Sequence, residues 1–191
     1  QLRYADDLLE LIAVQGTVGD LPVQLDGTLT RLQHPVMALQ LSVERAPVAS
    51  IRRLVPPLGQ LPVTLSGQAT GWVQMVGSGE DLQVRGHITG PAVRGEFGTV
   101  TALDGDLLLD NGSLQVTNLT GQGFGGALSG DLWVRLGTTP GPQLLFTGDA
   151  RGVDAHALAA QFLPPSAPGS AISPRDVTGT LAGPVTVTVE A

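Results

Sequence analysis

Histidines, carboxylates, serines and glycine-rich loops are where this chain could do chemistry. The three histidines, His34, His87 and His156, stand far apart in the sequence. None has the His-x-x-x-His spacing of a metal pair. His87 falls on the polar side of an alternating stretch, where exposure to solvent is expected. Asp6-Asp7 and Glu80-Asp81 are adjacent carboxylates. Neighbours on a strand point to opposite faces and neighbours in a turn are solvated, so neither pair is set up for general acid–base work. No Gly-x-Ser-x-Gly elbow occurs. Gly121 to Gly126, GQGFGG, is followed by strand rhythm and not by the helix that a phosphate-cradling loop requires, so a tight bend or bulge is expected there. Asp26-Gly27 and Asp104-Gly105 lack the nonapeptide period of calcium repeats and read as turn or bulge chemistry. No catalytic residue, no metal site, no cofactor and no enzyme activity is expected.

What remains is a rhythm of two. Leu61, Val63, Leu65, Gly67, Ala69, Gly71, Val73 and Met75 alternate with mostly polar residues such as Thr64, Ser66, Gln68, Thr70 and Gln74. Successive strand side chains point to opposite faces, so such a stretch is apolar on one side and wet on the other. The rhythm recurs through Leu21–Leu29, Met37–Val43, Leu82–Gly90, Leu128–Leu136 and Val177–Val189. Asp7 to Val14 clusters apolar residues without a clean period and reads as either helix or strand. Asp110-Asn111-Gly112 is a hairpin signal. The period changes twice. Val48, Ile51, Leu54 and Val55 share one helix face between Pro47 and Pro56-Pro57, predicting a helix over 47–55. Asp154 as N-cap with Leu158 and Phe162 on one face predicts a second over 154–163. Both helices are expected to pack over an end or edge of the sheet.

The bulk numbers agree with many short strands. The 191 residues are 42% hydrophobic and only 14% charged, with 26 glycines and 14 prolines. All ten basic residues are arginine and the formal charge is −7. An acidic chain with no basic cluster argues against nucleic acid and against an anionic-lipid surface patch. The absence of cysteine excludes disulfides and thiolate metal sites. Both ends read as cut, so an internal segment of a longer protein is expected.

The stretches SVERAPVASIRRLVPPLGQLPVTLSGQATG and GDARGVDAHALAAQFLPPSAPGSAISPRDVTGTLAG share a plan, about one hundred residues apart. Each has a strand, a short helix, a double proline, a variable loop and a strand. The plan predicts N-terminal strands over 1–45, one repeat over 46–149 and the start of another over 150–191. This plan resembles the TamB-like branch of the AsmA-like family. The phrases that carry it are GTVGDLPVQLDGTL, VRGHITG, LDGDLLLDNGSLQVTNLTGQGFGGALSGDLWV and ARGVDAHALAAQFLPP with VTGTLAG. The resemblance implies a mainly β fold: a long twisted antiparallel sheet curled lengthwise into an open hydrophobic groove, with two short helices. It implies a place in the periplasm of a diderm bacterium, within a parent anchored in the inner membrane. It also implies phospholipid acyl chains as cargo, and an Omp85-family outer-membrane barrel as partner of other parts of that parent.

Read from the residues alone, the apolar face is either the dry core of a sandwich or barrel, or the wall of a groove. The candidate lining residues are Val23, Leu25, Leu29, Leu39, Leu41, Leu61, Val63, Leu65, Val73, Leu82, Val84, Ile88, Leu107, Leu109, Leu128, Leu132, Val134, Val185 and Val187. With the resemblance, the groove is expected. A structural spacer or adhesin repeat with a dry core is the alternative. Trp72 and Trp133 alone do not make the aromatic platform of a carbohydrate-binding protein.

Overall fold

The computed structural model describes residues 1–31, 35–54, 64–78, 81–95, 98–110, 113–135, 143–162 and 178–190. Eleven strands form one open antiparallel sheet in which every strand pairs with its neighbours in sequence. They are β1 (Leu2–Ala5), β2 (Leu8–Val18), β3 (Leu21–Thr30), β4 (Val36–Pro47), β5 (Ser66–Gly77), β6 (Gln83–Gly95), β7 (Gly98–Asp110), β8 (Ser113–Gly123), β9 (Gly126–Arg135), β10 (Gln143–Asp154) and β11 (Thr180–Glu190). Helix α1 (Val48–Leu54) follows β4 and packs against β4 and β5, and α2 (Ala155–Phe162) follows β10 and packs against it.

The turns follow from local chemistry. Asp6 and Asp7 join β1 to β2 with φ of 49° and 62°, the two positive values of a type I′ hairpin turn. GQGFGG is a second such hairpin: Gly123 pairs with Gly126, and Phe124 and Gly125 take φ of 53° and 77°. Asp154 caps α2 as expected, its Oδ1 accepting the backbone N–H of His156 at 2.8 Å and of Ala157 at 3.3 Å. Ser50 of α1, itself buried, donates to Asp20 Oδ2 at 2.8 Å and ties that helix to the β2–β3 turn.

Asp7 to Val14 is turn and strand, and a bulge explains its unclear period. The pairing of β2 with β3 shifts between Leu11 and Val14, and Ala13 takes φ of 46°. Similar shifts separate Val43 from Ala46 and Val116 from Leu119, around Arg45 (φ 51°) and Asn118 (φ 54°). Each inserted residue restores the apolar side chains on either side of it to one face of the sheet. A left-handed conformation is costly for a residue with a Cβ, and the same device supports it each time. The next strand supplies a side-chain oxygen to the bulge N–H: Asp26 Oδ1 to Ala13 at 2.6 Å, Thr70 Oγ1 to Arg45 at 3.1 Å, and Asp131 Oδ1 to Asn118 at 3.1 Å. Asp26-Gly27 and Asp104-Gly105 are therefore mid-strand positions and not turns; Asp26 serves the bulge of the neighbouring strand.

The sheet is curled. Leu65, at the lead into β5, packs against Val134 of β9, four strand-to-strand steps away. A flat sheet would separate those strands by about 19 Å. Close approach within the curl needs glycine: Gly130 and Gly148 are direct partners, and a Cβ on either would overlap the facing carbonyl oxygen, of Thr147 or of Ser129.

Candidate groove of apolar side chains

One row of directly opposed residues crosses ten strands: Val14, Leu25, Leu41, Val73, Gly86, Leu107, Val116, Leu132, Phe146 and Val187. Every member is apolar or glycine. At a strand spacing of about 4.8 Å the row is roughly 43 Å long along the curve. The adjacent row on the other face runs Asp26, Gln40, Gln74, Arg85, Leu108, Gln115, Trp133, Leu145 and Thr188. That row is polar over β3 to β6, with Trp72 and Val76 of β5 exposed on the same face and Leu108, Trp133 and Leu145 exposed on the later strands.

The register puts most of the expected lining residues on the apolar face. Val23, Leu25 and Leu29 come from β3, Leu39 and Leu41 from β4, Val73 from β5, Val84 and Ile88 from β6, and Leu107 and Leu109 from β7. Leu128, Leu132 and Val134 come from β9, and Val185 and Val187 from β11. Two depart from the strand positions expected: Leu82 lies in the turn before β6, and Leu65 precedes β5 and reaches Val134. Leu61 and Val63 lie outside the described residues, as does His34.

These side chains do not fill the space they face. Of the expected lining residues, only Val134 is buried, at 2% exposure, and the other described ones are half-buried. Beside Leu65 and Val134, a cavity of about 350 Å³ opens along β7 to β11. Leu128, Leu132, Val185 and Val187 line it, and so do Val100, Leu103, Leu119, Leu144, Phe146, Val153 and Leu181, which the sequence reading missed. Apart from Thr120 the wall is made of apolar residues and glycine. Leu144, Phe146, Ala150 and Val153 all belong to β10, so the cavity runs along that strand. Leu158 of α2 closes one side, in keeping with the expected packing of that helix over the sheet. Ile51 of α1 is half-buried, and the side chains of Leu54 and Phe162 lie outside the description.

The outer face carries a charged cluster behind this wall. His87 Nδ1 lies 2.9 Å from Asp106 Oδ1, and its Nε2 lies 3.3 Å from Asp104 Oδ2. Asn118 Nδ2 donates to Asp106 Oδ2 at 2.9 Å. The hydrogen bond to Asp106 holds the His87 imidazole above its ordinary value of 6.5, helped by the charges of Asp104 and Asp106 and opposed by partial burial. Asp106 is held below the usual carboxylate range by Asn118 and by His87. His87 is thus paired rather than freely solvated. Among the described residues, no group of three histidine or carboxylate side chains is placed to hold a metal ion, and no helix is long and apolar enough to cross a membrane.

No family model matches the chain, and neither a curated protein nor a solved structure matches it.

Proposed function

We propose that the concave face holds phospholipid acyl chains. In this reading the chain is a periplasmic segment of a bridge-like protein of the TamB/AsmA-like family, carrying lipid between the inner and outer membranes in support of outer-membrane biogenesis. The observation that carries the reading is the unbroken row of apolar residues and glycine across ten strands, half-exposed except at Gly86 and Val116 and opening into an apolar cavity. Each methylene buried there contributes roughly 0.8 kcal/mol. A lining of Leu, Val and Ile offers nearly equal energy at each step, so chains slide without a deep trap while headgroups stay in water at the open lips. No covalent chemistry is required of any residue. An Omp85-family barrel would be engaged by other parts of the parent.

One observation favours a second reading, an envelope spacer with a dry interior: Leu65 fills part of the concave side by packing on Val134. Lipid extraction and native mass spectrometry of the purified chain separate the two. Copurified phospholipid supports the conduit, and its consistent absence supports the spacer.

A further inference from the structure

We propose that His87 is a proton-operated clamp on the outer face, which fixes the bulge that carries Leu119 and so regulates the groove behind it. The proposal rests on the groove reading above for its consequence, though not for its chemistry.

The geometry asks for a doubly protonated ring. Both nitrogens of His87 face carboxylates, Nδ1 towards Asp106 at 2.9 Å and Nε2 towards Asp104 at 3.3 Å. A neutral imidazole has a single N–H, so its other nitrogen would turn a lone pair on a carboxylate. Only the imidazolium donates to both. These contacts straddle Gly105, whose Cβ, if it had one, would meet Val116 Cγ1 at 2.9 Å and Leu119 Cδ1 at 3.2 Å. The clamp therefore sits directly behind two groove residues.

A hydrogen-bonded chain links it to the bulge. Asp106 Oδ2 accepts from Asn118 Nδ2 at 2.9 Å, and the backbone N–H of Asn118 donates to Asp131 Oδ1 at 3.1 Å. Asn118 is the left-handed residue between Val116 and Leu119, and Leu119 lines the cavity. Around His87, β7 contributes Asp104 and Asp106, and β9 contributes Asp131 through Asn118. Its own strand contributes Arg85, whose Nε donates to Gln74 Oε1 at 2.8 Å. The facing residues of β5, Thr70, Trp72 and Gln74, carry no charge. Losing the proton thus leaves Asp104 and Asp106 with no positive charge between them, while Arg85 is bonded to a glutamine.

The sign follows from linkage. A histidine raised above its ordinary value of 6.5 stabilises the fold fully below that value, and the contribution disappears as pH climbs through the raised one. The groove wall at Leu119 is therefore ordered on the acid side and loosened on the alkaline side.

The test is an NMR titration of the His87 ring, with amide exchange at Asn118 and Leu119 measured on both sides of its midpoint and corrected for intrinsic rates. The expected midpoint lies above 6.5. Protection at Asn118 and Leu119 should fall about two- to fivefold across it, the range of an exposed ion pair. Asp104→Asn should lower the midpoint, and His87→Gln should remove the pH dependence of the exchange; the asparagine variant keeps the test open if the glutamine one does not fold. A midpoint at or below the ordinary value, an unmoved midpoint in Asp104→Asn, or equal protection on both sides overturns the clamp. Binding of phenylnaphthylamine, a neutral apolar fluorophore, is followed in parallel. Tighter binding on the acid side supports regulation, and equal affinity on both sides overturns it. Binding at neither pH, with the exchange effect intact, keeps the clamp and removes the groove reading instead.

Discussion

Leu65, at the lead into β5, packs against Val134 of β9 although those two strands are four steps apart in the sheet. The contact is made across the concave side, so it reports the curl directly. Val134 is 2% exposed and Leu65 half-buried. Val134→Ala should destabilise by about 2 kcal/mol, the cost of losing buried methyl groups. In urea denaturation, the Leu65→Ala and Val134→Ala double-mutant cycle should show a coupling of about 0.5 kcal/mol or more. Additive effects would mean that the two leaves of the curl do not meet.

Gly148 and Gly16 make a controlled pair. A Cβ at Gly148 would overlap Ser129 O and crowd Gly130 Cα, whereas a Cβ at Gly16 meets nothing within 4 Å. Gly148→Ala should cost about 3 kcal/mol through overpacking. Gly16→Ala should leave stability unchanged or raise it by about 0.5 kcal/mol, because alanine restricts the unfolded chain. Melting temperatures of the two variants decide whether the close approach of β9 and β10 is real.

Asp26 gives a pH signature distinct from that of His87. Its carboxylate is held below the ordinary value of 3.8, first by Gln24 and then by the Ala13 N–H. A depressed carboxylate contributes fully above that value and loses its contribution as pH falls through the lower one. Asp26→Asn should therefore melt below the parent at neutral pH, with the gap closing in strong acid. A gap that widens on acidification would contradict the bulge support.

Val185 is half-buried and lines the cavity near the open end of the sheet. Val185→Arg should largely preserve the circular dichroism spectrum while removing copurified lipid, because the arginine can snorkel to the lip as its stem fills the cavity. If the variant unfolds, Val185 is dry core and the spacer reading gains.

Much of this was legible from alternation alone. Where a strand runs without interruption, as in β3 or β9, period two names the inner face correctly: Leu25, Leu29, Leu128 and Leu132 all fall there. Where a bulge adds one residue the phase flips, which is why β2 reads ambiguously and why alternation misses Val100 and Leu119, which lie across a bulge from Leu103 and Val116. The signal was present as a spacing of three between apolar residues, Leu11 to Val14 or Val116 to Leu119, in place of two. The partners of His87 were invisible for another reason. Asp104 and Asp106 are brought beside it by the β6–β7 register, and nothing local to the histidine announces them.

The most direct measurement of the central claim uses neighbouring residues that face opposite ways. Leu132 lines the cavity, and Trp133 lies on the outer face at 45% exposure. A photoreactive benzophenone side chain is placed at one position or the other and irradiated in the presence of phospholipid. The account predicts a lipid adduct from position 132 and none from position 133. Equal labelling at both, or labelling from 133 alone, would contradict it.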